Sequence, residues 1–386
     1  MMLLGIVIHT STTYSSTDYG PVWPIKSPDN QLIYGVLVDV LHCFRMPVFF
    51  VTAGYLGALL LTKKGPKAML SNRVKRILLP FLVGVLLVHP LWMTAFQFTG
   101  LAFAAAPAPL TDTVNGLCSA TFLPHNVGHL WFLEYLMGCS LLSWLLARLI
   151  KRDTVFTLTF MRETDYVLRN PGLRLLLLTL LIFGCFCGMG VAHIPTKLTW
   201  LIAPDVFVTY FCFYGLGWMI YQTNTLAKLT VYPISQLVVA AMLFLVARLA
   251  PWPQLTGVHY VQMVFAALSS ALFVFGFIAF FQKYFHQYSL PLTYLMESSY
   301  WVYIIHLPIV VLVPGLLAKV ALPTIVKFSL TLLVTALTAL LSYHYLVRNT
   351  AVDLFLNGNV PTRSPVLNTH HPAHPIGSKP ASDRFL

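Results

Sequence analysis

Apolar residues in this chain come in long unbroken runs, not in the alternating pattern of half-buried strands. Ten runs lie near 1–13, 33–61, 78–99, 128–149, 174–192, 204–222, 230–249, 260–281, 294–317 and 324–346. A helix needs about 18–20 such residues to cross roughly 30 Å of hydrocarbon, and at least five of the runs reach that length. The pattern predicts an all-α, polytopic integral membrane protein with about ten transmembrane helices. Arg45-Met46-Pro47 interrupts the second run, where proline removes a backbone donor and favours a kink. Connections are short except for 14–32 and 100–127 on one side and 150–173 on the other. Residues 1–350 are expected to form the membrane body and 351–386 a cytoplasmic tail. From Asn357 onward, prolines at 361, 365, 372, 375 and 380 leave no apolar periodicity, the composition of a disordered segment. No internal repeat is visible, which disfavours transporters built from repeats.

Composition agrees: 58% of residues are hydrophobic, 9% are charged and the mean hydropathy is +0.76. A net charge of +12 would suit nucleic acid, but 18 of the 24 Lys and Arg fall in alternate connections, 62–78, 148–174, 223–229 and 282–290, and in the tail. Only Lys26, Lys197, Arg248, Lys319 and Lys327 lie on the other side, with Arg45 inside a run. Such a bias places the basic side, and with it both chain ends, in the cytoplasm, and the basicity needs no nucleic-acid partner. Five of the six cysteines lie in spans, so no disulfide framework is expected. The first run is anomalous. Before His9 and Thr10 it has about half the length of a crossing helix, with no basic flank. It reads either as re-entrant or as a truncated span, to which about 10–15 upstream residues with at least one Arg would belong.

Ionisable side chains inside these runs narrow the function. His9, Asp39, His42, Arg45, Glu134, Glu297 and His306 all lie within or at the ends of apolar stretches. A charge at the bilayer centre costs at least about 2.5–3.5 kcal/mol, so such residues usually face a cavity and work there. An enzyme fits this, and so does a transporter relaying protons through His and Asp. Asp39, His42 and Arg45 recur at i, i+3 and i+6, which makes successive pairs neighbours on a helix. His306 shares a helical face with Tyr303 and Ser299, either as a cavity wall or as a packing network. His125 and His129 have the i, i+4 spacing of metal ligands but no third partner, and His370, His371 and His374 sit in the tail, so no metal is expected. Glu134 has no evident role.

Several strings, in this order, carry a resemblance: Gly5-x-x-x-His9, Phe44-Arg45-Met46-Pro47-Val48-Phe49-Phe50-Val51-x-x-Gly54-Tyr55, Arg73-Val-Lys-Arg76-Ile-Leu-Leu-Pro80, His129-Leu-Trp131-Phe-Leu133 and Tyr300-Trp-Val-Tyr303-Ile-Ile-His306. Over residues 1–310 the chain resembles the acyltransferase 3 family of membrane O-acyltransferases. Its first segments are most similar to a branch implicated in succinylating periplasmic glucans. Two departures stand out: the Arg-bearing segment that opens the family's first helix is missing, and Ala53 occupies the usual place of a serine before Gly54.

The resemblance implies a bacterial inner-membrane enzyme. It would take an acyl group from cytoplasmic acyl-CoA (succinyl-CoA or acetyl-CoA), with no bound cofactor, and pass it to a hydroxyl of a periplasmic glucan. The alternative within the class is O-acetylation of another envelope polysaccharide or lipid. Transfer from a thioester to a hydroxyl needs a base, a stabiliser for the oxyanion and a grip on the donor. His9 is the candidate base, since neutral imidazole accepts a proton near neutral pH; its plainer reading is a hydrogen-bonded interfacial histidine. Asp39 either orients His9, as acids do in other acyl-transfer sites, or pairs with Arg45 as a structural ion. Arg45 is also a candidate for the oxyanion. Arg73 and Arg76 offer forked guanidinium groups to the phosphates of coenzyme A, or else they touch lipid headgroups. His42, His129, Trp131, Tyr303 and His306 are candidates for contact with substrate.

Overall fold

Every apolar run is helical in the computed structural model, which describes residues 3–119, 124, 126–149, 154–252, 256–285, 287 and 289–358. The helices are α1 (Leu4–Tyr14), α2 (Leu32–Arg73), α3 (Leu79–Phe103), α4 (Pro109–Ser119), α5 (Trp131–Leu149), α6 (Val155–Arg169) and α7 (Pro171–Met189). They continue as α8 (Pro204–Gln222), α9 (Pro233–Leu249), α10 (Thr256–Tyr284), α11 (Leu290–Leu316), α12 (Thr324–Ser342) and α13 (Ala351–Asn357). No strand occurs among the described residues. Six helical stretches there are long and apolar enough to cross a membrane, so the molecule is a multi-pass membrane protein. The expected count of ten crossings goes beyond these six. The sequence reading left out α4, α6 and α13; the first two lie in the two longest connections, and α13 occupies the first seven residues of the expected 351–386 tail. The tail from 359, with its three histidines, and His125 lie outside the described residues.

The expected interruption at Arg45-Met46-Pro47 does not occur. Helix α2 keeps helical backbone angles through Pro47 and leaves them only at Gly65 (φ 83°, ψ 169°). Pro47 cannot bond the Cys43 carbonyl, but the Ser270 hydroxyl of α10 donates to it at 3.0 Å, so the helix loses no partner there. The stretch Leu32–Phe103 holds 72 residues, far more than one crossing needs. It is folded back: Arg73 Nη2 lies 3.4 Å from the Ala53 carbonyl, whereas twenty residues of straight helix would separate them by about 30 Å. A positive φ is cheap only for glycine, which is why the reversal falls on Gly65.

Small residues set the tightest contact. Helices α2 and α8 touch along Gly54, Gly57 and Gly217, where a Cβ would overlap the Tyr214 carbonyl, the Tyr214 hydroxyl and the Val51 carbonyl respectively. In lipid, where apolar surface gains little by leaving one hydrocarbon for another, such close backbone approach supplies much of the attraction between helices. Phe50, Phe213, Tyr214 and Tyr135 fill the interior beside this seam, while Leu86, Leu87, Leu180 and Met242 point outward. Helix α1 is short but central, packed on α2, α11 and α12. Its hydroxyls are silenced within the helix: Thr10, Ser11 and Thr12 donate to the carbonyls of Ile6, Val7 and Ile8 at 2.7–2.8 Å.

Gly54→Ala and Gly217→Ala should each lower the melting temperature of the detergent-solubilised protein by forcing α2 and α8 apart, at a cost of about 1–3 kcal/mol or more. Gly184→Ala on α7, whose added methyl meets open space, should be neutral or stabilising by up to about 1 kcal/mol. Equal melting temperatures for all three would show that the seam does not hold the helices together.

Candidate active site

One cavity of about 1250 Å³ reaches from the connections 15–31, 124–128 and 190–203 into the bundle. Those connections lie at the end opposite the Lys- and Arg-rich ones. Its wall combines aromatic residues (Tyr19, Trp23, Trp92, Phe96, Trp131, Tyr303) with polar and charged ones, among them His9, Asp39, His42, Arg45, His89, Gln97, Asn126, His129, His193, Arg248 and Gln262. Two histidines of this wall, His9 and His129, form a knot with His306 packed against both. The His9 ring lies 5.2 Å from that of His306 and 6.5 Å from that of His129, and His129 and His306 are 5.2 Å apart. Arg45, 8% exposed, closes the same corner.

The Gly5-x-x-x-His9 spacing has a steric reason. A Cβ at Gly5 would stand 2.9 Å from Arg45 Nη2 and 3.2 Å from His306 Nε2, so glycine lets α1 lie against both side chains while His9, one turn on, faces the cavity. His306 donates Nδ1–H to its own helix, at 2.7 Å to the Tyr303 carbonyl and 3.1 Å to that of Val302. Carbonyls only accept, so Nε2 of neutral His306 carries the lone pair, and it is buried with no hydrogen-bond partner among the described residues.

His129 is fixed by a proline 179 positions later. Pro308 has no N–H, which leaves the Ile304 carbonyl of α11 without its helical donor. His129 Nε2 fills the gap at 3.0 Å and also reaches the Tyr303 carbonyl at 3.1 Å. The Tyr303 hydroxyl returns a bond of 2.7 Å to the His129 carbonyl. This double link sets the His129 tautomer, with Nδ1 bare, and ties the turn before α5 to α11. Trp131 packs against Tyr135 and Tyr210 at the cavity wall.

Two expected pairings differ. Asp39 lines the cavity, and its carboxylate is held by Arg248 of α9, a partner 209 residues away. No hydrogen bond to either ring nitrogen of His9 forms among the described residues. Its contact is instead with Trp23 of the 15–31 connection, stacked at 5.2 Å and 7°. Arg73 and Arg76 lie away from the cavity. Arg76 donates to the carbonyls of Leu354 and Phe355 at 2.6 and 2.8 Å, clamping α13 beside the π-helical turn Val74–Leu78. Arg73 turns back toward Gly57, and its Nε is buried with no hydrogen-bond partner among the described residues. No group of three or more His, Cys, Asp or Glu among the described residues is arranged to hold a metal ion.

Sequence reasoning missed Trp23, Trp92, His89, His193 and Arg248. For Arg248 a signal existed: it is one of the few cations on the side poor in Lys and Arg, and an exception to the charge bias asks for a partner. Lys327 is a second case, bonding Asp29 at 2.9 Å and so pinning the 15–31 connection to α12.

Histidine, arginine and aromatic side chains thus gather at one large cavity within a multi-pass helical body. Residues 1–344 match the acyltransferase domain of the acyltransferase 3 family, and the chain belongs to that family. It is an acyltransferase. Among curated proteins it is similar to Glucans biosynthesis protein C of Escherichia coli strains SMS-3-5 and K12, each 26% identical over 325 residues, or 80% of this chain and 79% of theirs. No solved structure matches it.

Pro308→Ala should restore a main-chain donor to the Ile304 carbonyl and displace His129 from it. The expected result is a melting temperature equal to or above that of the wild type together with acyl transfer reduced about tenfold or more. Unchanged activity in a stable Pro308→Ala protein would show that the His129 link has no part in the reaction.

Proposed function

We propose that this enzyme moves a succinyl group from succinyl-CoA in the cytoplasm to a hydroxyl of a glucan in the periplasm, working in the bacterial inner membrane with its C-terminus in the cytoplasm. The observation that carries the reading is His9, an imidazole facing a polar, aromatic-walled cavity that opens on the side opposite the basic connections. The names of donor and acceptor rest on the relatives named for glucan biosynthesis, and the orientation rests on the distribution of Lys and Arg. The aromatic and amide side chains of the cavity suit a sugar, and the lipid bilayer surrounds the rest.

His9 accepts the proton of the acceptor hydroxyl as its oxygen attacks the thioester carbonyl. The Arg45 guanidinium at the same corner stabilises the oxyanion of the tetrahedral intermediate, in surroundings where a fixed charge counts for more than in water. The intermediate expels the coenzyme A thiolate, and the imidazolium returns the proton to it. His129 and His306 bound the reacting centre, each with one N–H committed to carbonyls, so in their neutral form the remaining ring nitrogen is an acceptor. Asp39, held by Arg248, belongs with His42 to the outer wall, where an acceptor would pass. The donor approaches from the basic side. There Arg73 has donors to spare for a phosphate, while Arg76 would have to leave α13 to share in that role.

His9→Ala should lower acyl transfer by about 10²–10⁴-fold while the protein remains folded in the membrane. Mass spectrometry of envelope glycans from cells with and without the active protein reads the added group directly. A rate near wild type for His9→Ala removes it as the base, and an acetyl mass on the product replaces succinyl with acetyl.

Arg73→Ala should raise the KM for the acyl-CoA donor and leave that for the acceptor unchanged, with Arg73→Lys recovering only part because ammonium keeps the charge but not the fork. Arg76→Ala should instead expose the 351–357 segment to protease. An unaltered donor KM in the Arg73→Ala, Arg76→Ala double variant would move the donor site elsewhere.

A further inference from the structure

The candidate base lacks the partner that usually orients such a histidine. In acyl-transfer sites an acid bonded to the far ring nitrogen fixes the imidazole plane and tautomer. Here the acid expected in that role, Asp39, is bonded to Arg248, and no hydrogen bond to His9 forms among the described residues. A histidine free to turn about χ1 and χ2 would present its nitrogen in the reacting geometry only part of the time, and a misplacement of about 1 Å can cost about 10²-fold in rate. Something else must hold the ring.

Trp23 has that position and is itself held. Its indole lies parallel to the imidazole at 5.2 Å and 7°, and Phe96 packs against it at 4.9 Å and 79°. Indole Nε1–H donates to Thr13 Oγ1 at 3.1 Å, one helical turn beyond His9 on the same α1. The connection that carries Trp23 is bonded back to α1 by Ser27 N to the Thr13 carbonyl and Gln31 N to the Tyr14 carbonyl, both at 2.9 Å, and to α12 by the Lys327–Asp29 pair. Gly20, at φ +55°, opens the short 3₁₀ turn Gly20–Val22 that delivers the indole inward. Trp23 is 6% exposed, so it has no open face on which a sugar ring could stack.

We propose that Trp23 is the positioning residue for His9: its stacked indole, moored to Thr13, fixes the imidazole plane in place of an acid. The inference rests on His9 being the base, as proposed above. It assigns a task to the 15–31 connection, which delivers a rigid aromatic wall to the reacting centre.

The test uses the full-length protein in membranes or detergent, with acyl transfer followed at varied acceptor concentration. Trp23→Leu should lower kcat about 10–100-fold with the acceptor KM within about twofold of wild type, because the base is present but misdirected. Trp23→Phe, which keeps an aromatic face, should recover kcat to within about fivefold. Thr13→Val, which removes the same mooring bond as Trp23→Phe while keeping the indole, should lower kcat by about as much as Trp23→Phe. Independently of turnover, carbethoxylation of His9 by diethyl pyrocarbonate, mapped by mass spectrometry, should run several-fold faster in Trp23→Leu than in wild type and close to the wild-type rate in Trp23→Phe. If Trp23→Leu does not fold, the Thr13→Val and Trp23→Phe pair decides, a wild-type kcat for Thr13→Val counting against the proposal. A rise in acceptor KM at unchanged kcat would make Trp23 a substrate contact and overturn it. Full activity in His9→Ala would instead remove the base itself, whereas an inactive His9→Ala beside a Trp23→Leu of wild-type kcat would overturn the positioning role alone.

Discussion

Hydrocarbon offers no hydrogen bonds, and a main-chain carbonyl left without a donor there costs several kcal/mol. Much of the polar architecture answers that constraint. Proline at 47 and at 308 each strips a carbonyl of its helical donor, and each time a side chain from another helix supplies one, Ser270 for Cys43 and His129 for Ile304. The hydroxyls of α1 are absorbed by its own carbonyls. Thr99 reaches across from α3 to the Val311 carbonyl of α11, and Ser269 from α10 to the Ala240 carbonyl of α9, at 2.7 and 2.8 Å. Polar residues inside the body therefore do more than line the cavity: several bond a carbonyl of their own or a neighbouring helix.

The fold was legible because membrane helices declare themselves by length and hydropathy, a signal that does not depend on who packs against whom. All ten apolar runs are helices, with ends shifted by a few residues. What escaped was the backbone detail set by context. Pro47 read as a break because sequence alone cannot show that Ser270 would be there to satisfy Cys43. The reversal at Gly65 was hidden in a basic stretch read simply as a connection. Helices α4 and α6 escaped because they are too short or too polar to announce a crossing.

For the site, the motif residues His9, Arg45, His129 and Tyr303 do meet at one cavity, with His306 packed against His9 and His129. Their convergence could not be read from spacing within a helix, since four separate segments contribute. The resemblance supplied it. Asp39 shows the limit of local reasoning: its neighbours at i+3 and i+6 were visible, and its actual partner on α9 was not. Trp23 went unnoticed for the opposite reason. It sits in a connection rich in proline and polar residues, where an aromatic side chain carries no periodic signature. Only the folded 15–31 segment brings it to His9.

The bond between His129 and the carbonyl freed by Pro308 makes two remote stretches of chain a single inheritable unit. The two halves depend on each other: a proline in α11 without the imidazole leaves a bare carbonyl in the interior, and the imidazole without the proline must share a carbonyl that has its helical donor. Helix α11 is thus not an interchangeable part. A chimaera that grafted 290–316 from a relative lacking the ring at 308 would need the 128–131 turn of that relative as well, and mutational drift at either position would be tolerated only in step with the other.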